Sequence, residues 1–446
     1  AAVAEQVTDA DDSAMALEAP PLDPMPIQVD ADLVKEADAK YGKGTSKGGC
    51  GGGPLGWLSC QTGQPWTLPQ PGALQGCGIR VGGWIEQGIT FNDQNPADGF
   101  NGPVATNDLD SEYQMNQLWL YLDRQVDNGG CGWGWGGHID MLYGTDFRFG
   151  ENNGLEERIN GDNFQLYGMV IPQAYLEIGY NDLSIKLGHF AAILDYEVIP
   201  APMNPFYSHS YSYGYTVPQL VTGILADWKI TDQLSIQGGA HRGWMQWEDI
   251  NNSWDVMAGV KWSSSEGGTK LAYAISSGPQ STPFDDQNRF VHSLVLQQKV
   301  TDRLKYVMVQ NYGLENYLTP PAGPIGPQGA AEWYGLNQYL LYQLNPCWAA
   351  NLRVEWLRDD DGVRVAGPGN VPGTSAWPGA GYAGNFYNVT AGLNWRPRPN
   401  WLIRPELRWD WYDGLDSWIP GKPLLPFDAG SSDHQGTFAV DAIFTY

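Results

Sequence analysis

The chain has 446 residues, with 50 Asp and Glu against 25 Lys and Arg, a formal net charge of −25. That balance excludes a nucleic-acid partner, because phosphate binding needs basic surface. Only 17% of residues are charged, whereas Gly occurs 56 times, Trp 20 times and Tyr 23 times. Glycine and aromatics in this abundance suit many strands joined by turns, with rings available for a surface that meets lipid. A soluble all-β protein that binds carbohydrate through Trp and Tyr shares part of this signature.

No stretch reaches the ~18–20 apolar residues that a membrane helix needs. In a membrane the chain must therefore form a closed barrel, since backbone groups in lipid have to be paired internally. It starts at Ala1 without a charged or apolar leader, and reads as a mature form from which a signal peptide has been removed.

Residues 1–47 are acidic and contain Pro20, Pro21, Pro24 and Pro26. A short helix is expected around Asp30–Tyr41, with Asp30 as cap and Leu33, Val34 and Ala37 as a weak apolar face. The alternative is a disordered periplasmic arm. Residues 48–78 form a Gly- and Cys-rich linker or plug.

From Ile79 onward, segments of about ten residues alternate apolar and polar positions, as barrel strands do. Sixteen are expected: 79–91, 113–124, 134–146, 170–180, 183–190, 219–229, 233–247, 253–264, 269–278, 289–300, 303–314, 331–344, 347–358, 385–396, 401–412 and 436–446. Short turns at Asn181-Asp182, Thr231-Asp232, 265–268, Thr301-Asp302, Asn345-Pro346 and Arg396–Asn400 use the residues that tight turns require. Between them lie the long polar loops 92–112, 147–169, 191–218, 279–288, 315–330, 359–384 and 413–435, with one brief exception near 248–252. Short turns at one end and long loops at the other describe a transmembrane antiparallel up-and-down β-barrel, with periplasmic turns and extracellular loops.

The faces agree. Leu352, Val354 and Trp356 oppose Asn351, Arg353 and Glu355, while Trp401, Ile403, Pro405, Leu407, Trp409 and Trp411 oppose Arg404, Glu406, Arg408 and Asp410. Trp254, Val256, Ala258, Val260 and Trp262 oppose Asp255 and Lys261. Alternation alone allows the apolar side to face either lipid or a dry core. The recurrence of the charged side on strands from both ends of the chain favours one wet lumen. Phe438, Phe444 and the terminal Tyr446 form a pattern similar to the signal by which outer-membrane barrels are recognised for insertion.

Barrels of about 16–18 strands leave an aqueous channel. The expected lumen charges are Arg80, Glu86, Asp140, Lys186, Asp255, Lys261, Arg353, Glu355, Arg404, Glu406, Arg408, Asp410 and Asp441. They nearly balance in sign, so they either set up a transverse field or serve as wall-crossing salt bridges. The acidity of loops and arm leans towards cations. The five cysteines, Cys50, Cys60, Cys77, Cys131 and Cys347, fit disulfides in an oxidising compartment. Cys77–Cys131 and Cys50–Cys60 are one pairing of several that four cysteines allow.

No GxSxG elbow, HExxH, Walker A or Rossmann fingerprint occurs. Asp359-Asp360-Asp361-Gly362 lacks EF-hand spacing and reads as a solvated turn. No enzyme, cofactor or metal is expected.

The strand end KLGHF, followed by AAILDYEVIPAPMNPFYSHSYSYGYTVP over 191–218, resembles the OmpL-like putative beta-barrel porins of the planctomycete type. The local match covers Leu183–Trp228, and the strand pattern extends it over 79–446. The resemblance implies an outer-membrane porin whose third long loop folds inward and sets the narrowest point, with Asp195, Glu197, Phe206, Tyr207, His209 and Tyr211 as loop residues. The loop's length and its Tyr, Phe and Pro content also suit packing inside something. Its alternative is an extracellular loop packed on its neighbours. Expected partners are outer-membrane lipid, small hydrophilic solutes, a homo-oligomer such as a trimer, and a periplasmic or cell-wall partner for residues 1–47. A barrel scaffold that anchors such a partner through the arm is the other functional alternative to a pore.

Overall fold

The computed structural model describes residues 64–161, 165–280, 288–316, 330–365, 381–416 and 425–446. The helix expected around Asp30–Tyr41, and Cys50 and Cys60, lie outside them.

The strands are β1 (Arg80–Asn92), β2 (Tyr113–Arg124), β3 (Trp133–Gly144), β4 (Gly168–Val170), β5 (Ala174–Tyr180), β6 (Leu183–Ala191), β7 (Leu220–Lys229), β8 (Leu234–His241) and β9 (Asp255–Ser263). They continue as β10 (Thr269–Pro279), β11 (Asn288–Lys299), β12 (Leu304–Asn316), β13 (Ala330–Asn345), β14 (Trp348–Asp359), β15 (Gly384–Trp395), β16 (Trp401–Gly414) and β17 (His434–Thr445). Sequence neighbours pair antiparallel throughout, except β4 and β5, which both pair with β3, and β1 pairs with β17 from Trp84 opposite Thr445 to Asn92 opposite Thr437. The sheet therefore closes on itself and leaves no edge.

Seventeen segments make sixteen staves, because β4 and β5 follow one another along β3. The 170–180 strand expected as continuous is thus broken. Pro172 lies in the break and has no N–H to give the ladder. Gln173 fills part of the gap: its carbonyl accepts the Asp140 N–H at 2.8 Å, and its side chain donates to the Asp140 carboxylate at 2.9 Å.

The expected strands otherwise match to within about two residues, with one exception. The 233–247 segment ends as a strand at His241. Residues 242–254 are a full loop that turns back onto β7, where the Met245 N–H reaches the Leu220 carbonyl at 3.0 Å. The apparent short loop near 248–252 disappears, and long loops follow every second stave.

The outer surface is apolar. Val354, Trp356, Leu407, Trp409, Val256, Val260 and Trp262 are exposed, whereas Arg353, Glu355, Arg404, Glu406, Arg408 and Asp410, one residue away on the same strands, are buried. Hydrophobic side chains outside and charges inside invert a soluble core. Rings gather in two belts. Tyr273, His292, Tyr312, Tyr334 and Trp356 contact one another across β10–β14 near the long-loop end, with centroids 5.5–6.4 Å apart. Trp348 with Trp395, and Trp401 with Phe444, mark the other end at 5.4 and 5.1 Å. From Trp348 to Trp356 the strand runs roughly 27 Å, or roughly 20 Å along an axis tilted by ~40°, close to the ~25 Å apolar band of a membrane barrel.

The expected Cys77–Cys131 bridge is not formed: both are free, exposed thiols. Each is tied into its own turn, Cys77 by an N–H to the Leu74 carbonyl at 3.0 Å and Cys131 by one to Asn128 at 3.1 Å. Cys347 is disulfide-bonded.

Candidate pore site

Loop 191–218 leaves β6 and returns at β7, and its polar groups meet inward-facing side chains around most of the barrel. The Asp195 N–H donates to the Ser293 hydroxyl of β11 at 3.0 Å, and Asn311 of β12 donates to its carboxylate at 2.6 Å. Glu197 accepts the Tyr339 hydroxyl of β13 at 2.6 Å and lies 3.1 Å from the Arg353 guanidinium of β14. On the loop's own side it is bonded by His209 and by the Ser210 N–H, each at 2.9 Å. Burial opposes charge on Glu197, yet Arg353 and the His209 and Tyr339 bonds hold its carboxyl down at about 2.

Further along, Gln117 of β2 donates to the Ile199 carbonyl at 2.8 Å, and Arg404 of β16 donates to the Ala201 and Asn204 carbonyls at 3.0 and 2.8 Å. Glu406 accepts the Tyr207 N–H at 2.9 Å, and the Tyr207 hydroxyl reaches Asn116 at 2.8 Å. The short helix Tyr211–Tyr215 is capped by Ser210. Glu355 accepts the N–H of Tyr211 at 2.9 Å and of Ser212 at 2.6 Å, while the Tyr211 hydroxyl donates to Asp410 at 2.8 Å. Carboxylates on the wall thus satisfy N–H groups that a loop leaves unpaired. Phe206 packs with Tyr196, Val295, Val307, Val309 and Tyr339.

The expected lumen charges are mostly paired. Arg404 lies 2.9 Å from Glu86 and 2.6 Å from Asp441, Arg408 lies 2.8 Å from Asp410, and Lys261 lies 2.6 Å from Asp227. Asp140 accepts the Trp119 indole N–H at 2.8 Å and contacts His138 at 2.9 Å. The Lys186 ammonium sits 4.4 Å from the Tyr175 ring centroid, and Asp255 is bonded by Gln280. Arg80 stands apart: it is largely exposed at the short-turn rim and pairs with Asp123 at 2.8 Å. Asp359, read as part of a solvated turn, is buried, and its carboxylate caps the N–H groups of Val363, Arg364 and Val365 at 2.7–3.0 Å.

The inner wall is less uniformly polar than alternation implied. Val221, Leu225, Met257, Val291 and Trp333 face inward and pack with loop residues Leu194 and Val217 and with Trp244. A loop of this length needs an apolar seat, and the wall supplies one. Sequence reading also missed Arg289, which opposes Phe290, Leu294 and Leu296 in the alternation and was legible there. Trp244 gave no such signal, because it sat inside a segment read as strand. Of the terminal residues, Phe438 and Phe444 lie on the outer face, and Tyr446 exchanges backbone hydrogen bonds with Gly83 of β1 at 3.0 and 2.9 Å.

A closed sixteen-stave barrel with an apolar exterior, aromatic belts and a charged interior defines an outer-membrane channel. The chain belongs to the family described as "Putative beta-barrel porin-2, OmpL-like", whose model matches residues 78–446. It is an outer-membrane porin. Among solved structures, the outer membrane channel DcaP of Acinetobacter baumannii is similar over 82% of this chain and 97% of its own, with 13% identity and a TM-score of 0.52. The anion-selective porin from Comamonas acidovorans is similar over 82% of this chain and 99% of its own, with 9% identity and a TM-score of 0.54. At such identities the likeness is one of fold. No curated protein matches the sequence.

Proposed function

We propose that the protein gives small hydrophilic solutes passive diffusion across the outer membrane, through a lumen that loop 191–218 narrows. The observation that carries this reading is the Glu197–Arg353 pair, which fixes the middle of the loop to β14, on the far side of the barrel from β6 and β7. The inward-facing Glu177, Ser184, Gln237 and Lys261, on the β5–β9 arc, keep partial exposure and mark the side left for water. The function is transport, with no catalytic step. Purified protein in planar bilayers is expected to form stable channels, and deletion of 191–218 to widen them. No channels, or equal conductance with and without the loop, would overturn the reading.

The scaffold reading keeps one supporting observation. The segment before β1 is fastened to the short-turn rim, where Trp66 exchanges two 2.7 Å hydrogen bonds with the Asn400 side chain and Gln70 exchanges two of 2.8 Å with the Val81 backbone. The arm therefore starts from a fixed point at the periplasmic end, as an anchor for a periplasmic or cell-wall partner would. Deleting residues 1–47 is expected to leave conductance intact and to abolish retention of that partner.

A further inference from the structure

We propose that the extracellular mouth holds a binding site for small oxyanions, phosphate or carboxylate, built from Arg289, Trp244 and Arg364. The site rests on the pore reading, since it lies where solute enters the lumen.

Arg289 opens the inward row of β11, followed by the buried Val291, Ser293, Val295 and Gln297. Its Nε donates to Glu315 at 2.8 Å, and its two Nη groups have no hydrogen-bond partner among the described residues. Its side chain keeps 16% of its surface accessible. The guanidinium lies 4.6 Å from the Trp244 ring centroid, and that of Arg364 lies 5.2 Å from the same ring and 5.0 Å from Trp333. Two guanidiniums thus converge on one indole in a chain that is otherwise acidic.

Trp244 is turned inward at a cost. Gly243 before it has φ 107° and Met245 after it φ 54°, a conformation that a residue with a side chain seldom adopts. The ring is buried, yet among the described residues its Nε1–H has no acceptor. A buried donor without a partner costs free energy that a ligand oxygen would recover. Guanidinium Nη groups match an oxyanion in fork geometry. The orphan indole N–H of Trp244 and the two Nη groups of Arg289 are donors of the kind an oxyanion accepts from. Glu315 holds the Arg289 guanidinium by its Nε.

The test uses the full chain and inorganic phosphate, added to the extracellular side of single channels in potassium chloride. Phosphate is expected to interrupt the current, and Arg289→Gln to raise the half-blocking concentration at least tenfold. Trp244→Phe, which keeps a ring and removes the N–H, should raise it less. Lys270→Gln, at the opposite rim, should leave it unchanged. Heat-modifiable gel mobility checks that each variant is folded. Equilibrium dialysis of detergent-solubilised protein against labelled phosphate reads the site without a bilayer. Channels indifferent to phosphate, or equal dialysis binding by wild type and Arg289→Gln, overturn the site. Absence of channels beside phosphate binding that depends on Arg289 overturns the pore reading and leaves the site standing.

Discussion

Arg353 and Glu197, 156 residues apart in sequence, meet 3.1 Å apart inside the barrel with both side chains almost wholly shielded from solvent. Removing one partner of such a pair strands the other charge in a low-dielectric site, at about 3–5 kcal/mol. Arg353→Met is therefore expected to release the loop: single-channel conductance rises or becomes noisy, and the barrel loses its heat-resistant mobility at a lower temperature. The double variant Arg353→Met with Glu197→Gln should recover part of the loss.

Glu156, in the loop between β3 and β4, is buried, and its carboxylate accepts the N–H of Asn152 at 2.6 Å and of Ile171 at 2.7 Å. Burial, only partly offset by these bonds, pushes its carboxyl up to about 6. The folded value lies above the unfolded one, so the folded state takes up the proton more readily. Stability from this group is greatest in acid and is lost as pH rises through about 6. Glu156→Gln keeps one acceptor oxygen and sets an amide NH2 against the other N–H, so it should be destabilising at pH 4; because it does not titrate, its cost should be smaller by about 1–2 kcal/mol at pH 7.5. Hydrogen exchange over 145–161 at the two pH values reads the difference.

Gly313 of β12 faces Trp333 of β13, and a Cβ there would overlap the indole ring. Trp333 is buried and donates to the Thr216 carbonyl of the loop at 3.1 Å. Gly313→Ala should displace that ring and cost about 1–3 kcal/mol, the usual penalty of overpacking. Lower thermal stability together with a shifted tryptophan emission would show it; an unchanged melting profile would count against the packing described.

Val354 is 40% exposed on the outer face between the two aromatic belts. Arginine there would stand in hydrocarbon, at about 2–4 kcal/mol near the midplane. Val354→Arg should impair insertion into vesicles, measured by the folded fraction on cold gels. A soluble barrel would tolerate the change.

The strands were legible because each depends on neighbours close in sequence. Alternation such as Leu352, Val354 and Trp356 against Asn351, Arg353 and Glu355 follows from the pleat, and Asn181-Asp182 or Thr301-Asp302 marks a turn by its own backbone preference. Two segments misled. Residues 242–247 keep an alternating composition but bend inward at Gly243. The 170–180 strand looked continuous because the sequence does not show which N–H groups the ladder demands at Pro172.

The sequence by itself determined the number of staves, the alternation of short turns and long loops, and, in strands such as 347–358 and 401–412, which residues share a face. Only the tertiary structure decided where loop 191–218 lands, which inner charges pair, that the lumen carries apolar seats beside polar ones, and that Trp244 and Arg289 meet. The reason is range. A strand's faces are set by adjacent residues, whereas the Glu197–Arg353 pair and the Arg289–Trp244 contact join positions far apart along the chain. Such positions have no relation until the sheet closes.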